Sequence, residues 1–415
     1  MKDRHGDTLG GVRLRAAGCT GPALREQAQL LLAGLALDEH VEFVASRDEH
    51  GTAALTLRLT EASAAAWTPG YDTLDIVSRA GLGRGTRANP TSGTSETSET
   101  SETSETSGTT GTTRTTGTPG ATDAAAVERE IAIAMLASPW AFDYPSVDEL
   151  ACSIRIRRNI VQAARRTALA FDTRAVERPP DCWRYDEDRG FTIVPGQSLI
   201  TALTKATQPE VSGTLYPFSC YRATEYVTLL GIAEEVAERN PALLARLQRQ
   251  FEERAIKSGP FHDVFLREYG TMQSPLPMRY FVPGDRTWFR NPDSASSDAE
   301  GYEGSWVFYL GGGLFSNFWK RDKPFTLTSK CVEVFHWRHG LYRDADGEAR
   351  IDEHVVEQRV RDSMNDPAAL ARILPQMMRL REPKGVYRDG GCIDTTREYP
   401  RWILAPDSDM VLPDA

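Results

Sequence analysis

Between Ser92 and Thr118 the chain contains only Ser, Thr, Glu, Gly and a single arginine, Arg114, with the triplet Ser-Glu-Thr repeated from Ser95 to Thr106. None of these side chains can enter a core, and a segment that buries nothing cannot offset the entropy lost on ordering it. The tract therefore divides the sequence. It predicts a solvated Ser/Thr/Glu/Gly linker over residues 87–122, between a small N-terminal α+β module at 1–86 and a larger region at 123–415. A chain of 415 residues has room for about two or three domains, each long enough to bury its own core.

Several classes of function are disfavoured at once. Lys and Arg number 48 against 58 Asp and Glu, a formal balance of −10, and an acidic chain is a poor partner for nucleic acid. The most apolar stretch, Ala28 to Leu37, contains Gln29 and falls well short of the ~20 residues that cross a bilayer, so no membrane association is expected. The opening Met-Lys-Asp-Arg-His-Gly-Asp leads into no apolar h-region, which predicts a cytoplasmic protein. Cys19, Cys152, Cys182, Cys220, Cys331 and Cys392 lie far apart with no Cys-x-x-Cys pair, which argues against a zinc ribbon and against a disulfide framework. His336, His339 and His354 come with no carboxylate pattern, and no metal is expected.

Periodicity outlines the elements. Pro22 to Leu37 carries apolar residues at helical spacing and Ala53 to Leu59 alternates as a strand does. Residues 81–85 look like a phosphate-binding glycine loop, but the chain runs on into the tract instead of into a helix, so the dinucleotide fingerprint fails on context. Beyond the tract, Ala124 to Leu136 reads as a helix. Ser146 and Glu149 form a capping-box pattern for a second helix, running to about Ala164. Its other face carries Arg155, Arg157, Arg158, Arg165 and Arg166 and is expected to be solvated. A hairpin is expected from Trp183 to Pro195, then helices over Cys220–Glu238 and Pro241–Ile256. Strands follow at Met278–Val282, Arg286–Arg290, Ser305–Leu310 and Leu314–Trp319, separated by Gly, Pro and Asn turns. Thr326 to Arg338 is ambiguous: it is rich in β-formers, yet Thr328 or Ser329 could cap a helix. Ala368 to Leu380 reads as a last helix. Helices followed by an antiparallel meander indicate the α+β class.

Cys220 is distinctive because it opens a helix directly after the aromatic loop Leu215-Tyr-Pro-Phe-Ser219. A helix N-terminus is electropositive and favours the thiolate. A nucleophilic cysteine also needs a base or charge partner, and the strands offer Asp285, Glu300, Glu303, His336 and His339. Glu225 sits about 140° round the helix from Cys220 and is expected to be a solvated or capping charge.

Four ordered segments carry a resemblance. Phe142-Asp-Tyr-Pro-Ser-Val-Asp-Glu-Leu150 with the following Arg155 to Ala164, Tyr216-Pro-Phe-Ser-Cys-Tyr-Arg-Ala-Thr224, Pro283-Gly-Asp-Arg-Thr-Trp-Phe-Arg-Asn-Pro292, and Tyr302-Glu-Gly-Ser-Trp-Val-Phe-Tyr-Leu-Gly311 are similar to blocks of the small single-domain transglutaminases associated with bacterial spore coats. The similarity covers about Phe142 to Pro383. It implies a papain-like fold of the cell-wall-hydrolase type and protein-glutamine γ-glutamyltransferase activity, joining a glutamine donor to a lysine acceptor on protein substrates with release of ammonia. It implies no cofactor and no metal.

By the same resemblance the nucleophile falls on Cys220. The family's two glutamates fall on Ser219 and Ser305, and its histidine falls near Asn317 or Phe318. Glu303, two residues before Ser305 and so on the same face if the strand extends that far, is the candidate catalytic partner, with Ser219, Ser305, Asp285 and Asn317 lining the site. Two further readings stay open: a transglutaminase-fold protein that binds a partner without catalysis, and a glutamine deamidase using water as acceptor.

Overall fold

A computed structural model describes residues 10–15, 20–47, 53–76, 119–171, 177–382, 390–406 and 408–412. The repeated Ser-Glu-Thr triplets, the glycine loop at 81–85 and Cys19 lie outside the described residues.

The chain begins with strand β1 (Gly11–Arg15), helix α1 (Gly21–Gly34), strands β2 (Val41–Arg47) and β3 (Ala53–Leu59), and helix α2 (Glu61–Trp67). Helix α1 starts where Thr20 accepts the Ala23 N–H and Pro22 sits in the first turn, and it buries Leu24, Ala28 and Leu32, the stripe its periodicity predicts. In β1 and β3 the antiparallel pairs Val12↔Leu57 and Leu14↔Leu55 put buried side chains on one face. After the tract come α3 (Pro119–Leu136), strand β4 (Ala141–Tyr144) and α4 (Val147–Arg166). Strand β4 pairs in parallel with β1, Val12 opposite Phe142, so the sheet ordered β2-β3-β1-β4 draws its strands from both sides of the tract.

Helix α4 contains the first correction. Part of the expected solvated arginine face is a set of ion pairs: Arg157 is fully buried and binds Asp285 at 2.7 Å, Arg155 binds Glu235 at 2.7 Å, and Arg158 binds Glu128 at 2.5 Å, while Arg166 at the end of the helix is exposed as expected. Acidic side chains supplied by neighbouring elements remove the need for water. The capping box is half made. Ser146 accepts the Glu149 N–H at 3.1 Å, while the Glu149 carboxylate accepts the N–H groups of Ile403 and Leu404 at 2.9 and 2.8 Å.

Next come the hairpin strands β5 (Trp183–Asp186) and β6 (Gly190–Ile193), then helices α5 (Leu199–Thr207), α6 (Cys220–Arg239) and α7 (Pro241–Glu253). Helices α4 and α6 touch at Gly231, where an added Cβ would lie 2.6 Å from Ile160 Cγ1 and 2.9 Å from Ile160 N. The later elements that frame the site include β7 (Leu266–Tyr269), β8 (Arg286–Arg290), β9 (Gly304–Gly311), β10 (Leu314–Phe315), β11 (Phe325–Thr326), α8 (Leu327–Gly340), α9 (Glu353–Met364), α10 (Pro367–Met377) and β12 (Arg397–Pro400). A six-stranded sheet runs β11-β10-β9-β8-β12-β7, antiparallel at every pairing.

The strand expected at Met278–Val282 is absent. Its backbone is used by Thr73, whose hydroxyl donates to the Phe281 carbonyl at 2.6 Å and accepts the Phe281 N–H at 2.8 Å, while the Thr73 N–H reaches the Arg279 carbonyl at 3.2 Å. The strand expected over Leu314–Trp319 stops at Phe315, because Asn317 folds the chain into a turn by accepting the Lys320 N–H at 3.1 Å. The ambiguous segment is helix α8, with Thr326 as its cap and Ser329 completing a reciprocal capping box.

Candidate active site

The aromatic loop before Cys220 is fixed from behind. Phe218 is buried, meets Tyr226 edge-on at 5.0 Å and lies under the Arg178 guanidinium at 3.6 Å. Ser219 then takes an extended conformation and caps α6 by accepting the Arg222 N–H at 3.2 Å, which sets Cys220 as the first helical residue. Ser219 thus has a local structural task that any good cap residue could perform.

Cys220 is half-buried. Burial holds its thiol pKa above the ordinary value. The backbone N–H of Trp306, the Lys330 charge, the N–H of Tyr221 and the Arg286 charge all pull the other way without overcoming it. The helix terminus favours the thiolate as expected, through the Tyr221 N–H, but desolvation of the sulfur outweighs it. Glu225 is corrected, being fully buried and paired with Arg222 at 2.5 Å, because Arg222 spans one helical turn to reach it.

Cys220 lines a narrow cleft. Strand β9 and the residues before it contribute Ser305, Gly304, Tyr302 and Gly301; the turn after β10 contributes Asn317, Trp319 and Lys320. The opposite wall is helical, with Lys330, Glu333 and Trp337 from α8 and Glu353, Val356 and Glu357 from α9. Lys330 is 3% exposed. Its ammonium donates to Glu333 Oε2 at 2.7 Å and stands 4.1 Å from the Phe325 ring centre and 5.7 Å from that of Trp337. Lys320 pairs with Glu357 across the cleft, and this contact lowers the Glu357 pKa. The Tyr302 hydroxyl donates to Glu353 at 2.9 Å.

Cys220, Ser305 and Asn317 therefore share one cleft, while Ser219, Glu303 and Asp285 do not line it, Ser219 being held as the cap of α6. Glu303 is exposed and does not line the cleft. Strand β9 begins at Gly304; the Glu303 carbonyl still accepts the Asn291 N–H at 3.0 Å, but the residue itself is exposed to solvent. Asp285 is fully buried; it binds Arg157, accepts the Val282 N–H at 2.7 Å and the Tyr269 hydroxyl, and belongs to the core rather than to the cleft lining.

Lys330, Glu333, Glu353 and Glu357 were not anticipated from the sequence. The pair Thr326 and Ser329, the start of a capping box, is the signal that would have put Lys330 and Glu333 on one helical face. Of the histidines, His336 contacts His339 Nδ1 at 3.0 Å and Ser363 at 2.8 Å, and burial, with the neighbouring His339, lowers its pKa to about 4. Among the described residues no group of His, Cys, Asp and Glu is arranged to hold a metal, and no helix is long and apolar enough to cross a membrane.

Residues 107–390 match the family described as protein-glutamine gamma-glutamyltransferase. The protein-glutamine gamma-glutamyltransferase of Halalkalibacterium halodurans is 26% identical over 198 residues, which is 47% of this chain and 64% of that relative. The match thus spans less than two thirds of the relative's length. The transglutaminase of Geobacillus stearothermophilus without its C-terminal extension aligns with 52% of this chain and 98% of its own, at 21% identity and a TM-score of 0.37.

Proposed function

The chain belongs to the protein-glutamine gamma-glutamyltransferase family, and from that premise we propose that it transfers the γ-acyl group of a protein glutamine to a protein lysine through a thioester on Cys220. The observation that carries this reading is the position of Cys220: first residue of α6, lining a cleft that also contains Ser305 and Asn317. In the first half-reaction the sulfur attacks the carboxamide carbon, the carbon–nitrogen bond breaks and ammonia leaves. In the second, the lysine amine attacks the thioester, an isopeptide bond forms and the sulfur is released. The N–H groups of Trp306 and Tyr221 stabilise negative sulfur at both stages. Trp319, Trp337 and Tyr302 give the cleft aromatic walls suited to the aliphatic parts of both side chains. A helix N-terminus carrying the cysteine and packed against β9 is in keeping with a papain-like arrangement.

The test is covalent incorporation of a fluorescent primary amine into a glutamine-containing protein. Incorporation and ammonia release are expected from the wild type, and neither from a Cys220→Ala variant. Ammonia release without incorporation would assign a deamidase. The binding-only reading draws on the raised thiol pKa and on the serines at the family's carboxylate positions; absence of both products from the wild type would select it.

A further inference from the structure

On the acyl-transfer reading, Cys220 must lose a proton, and the positions at which the family supplies carboxylates hold Ser219 and Ser305. Among the described residues, the carboxylate that shares the cleft with Cys220 and is tied to a buried cation is Glu333. Residues three apart on a helix lie on one face, so α8 presents Lys330 and Glu333 together toward the cleft. The Lys330 ammonium has three hydrogens. Glu333 takes one, and the Phe325 and Trp337 rings that flank the ammonium offer no oxygen.

We propose that Lys330 and Glu333 act as a charge-exchange pair for Cys220, the carboxylate taking the thiol proton while the ammonium changes its counter-ion from carboxylate to thiolate. The proposal rests on the acyl-transfer reading for its substrate but not for its electrostatics. Before transfer the cleft holds a neutral thiol and an ammonium–carboxylate pair. Afterwards it holds a thiolate–ammonium pair and a neutral carboxylic acid. The sum of charges is the same, so a desolvated cleft is not asked to hold a lone thiolate.

The bonds balance through both half-reactions. The S–H bond breaks as an O–H bond forms on Glu333, and the sulfur pair attacks the carboxamide carbon. When the carbon–nitrogen bond breaks, Glu333 returns the proton to the departing nitrogen, giving ammonia and a carboxylate. In deacylation the lysine nitrogen loses a proton to Glu333 as it bonds to the thioester carbon. The carbon–sulfur bond then breaks, and the proton goes back to sulfur.

Other charged groups of the cleft, of α6 and of β8 are engaged with partners of their own. Arg286 on β8 is bound to Glu398 and to Thr224, the latter at 2.8 Å. Arg222 and Glu225 on α6 are paired with each other. Lys320 and Glu357 form their own pair, and Glu353 is engaged by Tyr302.

The experiment measures the pH dependence of iodoacetamide alkylation at the Cys220 peptide by mass spectrometry, beside amine incorporation, in the full chain. Lys330→Met should raise the apparent thiol pKa by at least about one unit and slow alkylation about 10-fold at neutral pH, with Lys330→Arg restoring most of it. Glu333→Gln should move the thiol the opposite way, because the ammonium loses its competing carboxylate, yet should cut amine incorporation by about 100-fold or more. A merely structural pair would shift both variants in the same direction. An unchanged alkylation profile in Lys330→Met, or an upward shift or full incorporation in Glu333→Gln, overturns the proposal. If circular dichroism shows Lys330→Met unfolded, the Glu333→Gln arm decides. Opposite thiol shifts in a protein that incorporates no amine would leave the pair standing and remove the acyl-transfer reading instead.

Discussion

Replacing Asp285 by alanine separates a structural role for this residue from a catalytic one. In the native protein its carboxylate meets Arg157 at 2.7 Å, both side chains are fully buried, and the guanidinium also lies 5.8 Å from the Phe142 ring centre and 5.0 Å from that of Tyr399. Alanine would leave a guanidinium in the core with no counter-charge, a loss of roughly 3–5 kcal/mol. It would also strip the Val282 N–H and the Tyr269 hydroxyl of their acceptor. Against a net stability of about 5–15 kcal/mol for a domain, this is a large fraction. Urea unfolding followed by tryptophan fluorescence should show the midpoint falling sharply in Asp285→Ala. The fall should persist at high salt, because a buried pair is little screened. A double variant, Arg157→Met with Asp285→Leu, should recover most of the loss, since it removes both charges and fills the space. The reasoning is refuted if Asp285→Ala unfolds at the wild-type urea concentration, and a catalytic place for Asp285 would follow if such a protein had also lost amine incorporation.

Three further outcomes are expected. Glu130 is buried and pushed up to about 7 from 4.5 by burial, against the Gly312 N–H, the Tyr309 hydroxyl and the Arg165 charge; a raised carboxyl favours folding fully below its unfolded value and loses that contribution as pH rises toward 7. Glu130→Gln should therefore flatten the stability–pH curve between about pH 4.5 and 7 and stabilise the protein above it by up to about 3 kcal/mol, checked by urea melts at stepped pH. Gly231→Ala, whose Cβ would press on Ile160 backbone as well as side chain, should destabilise by about 1–3 kcal/mol despite alanine's better helix propensity; an increase in urea midpoint would contradict the close helix crossing. Thr326→Ala removes the cap of α8 and should cost about 1 kcal/mol together with a fall in amine incorporation, since α8 carries Lys330 and Glu333; a loss of stability with unchanged incorporation would show that the first turn of α8 does not position that pair.

Which features could be read from sequence follows from how far apart the deciding residues lie. Strand β3 at Ala53–Leu59, the start of α6 at Cys220 and the hairpin after Trp183 are set by alternation, caps and turns within a few residues, and local reasoning reached them. The arginine face of α4 was misread because its partners are distant: Glu128 is 30 residues away from Arg158, Glu235 is 80 from Arg155, and Asp285 is 128 from Arg157. A charge run alone carries no information about what packs against it. Met278–Val282 has strand composition, but Thr73, about 200 residues earlier in the chain, occupies its backbone groups. The cleft obeys the same logic in reverse. Cys220 is announced by its own helix start, whereas Lys330 and Glu333 matter only if Thr326–Gly340 is helical, and its β-forming composition argued against the cap that decides the matter. Glu303 drew attention by proximity to Ser305 in sequence; Glu333 is thirty places farther on, yet α8 turns it toward the same cleft. Residues that share a cleft with a cysteine are thus set by the faces that pack over it, which its neighbours along the chain do not reveal.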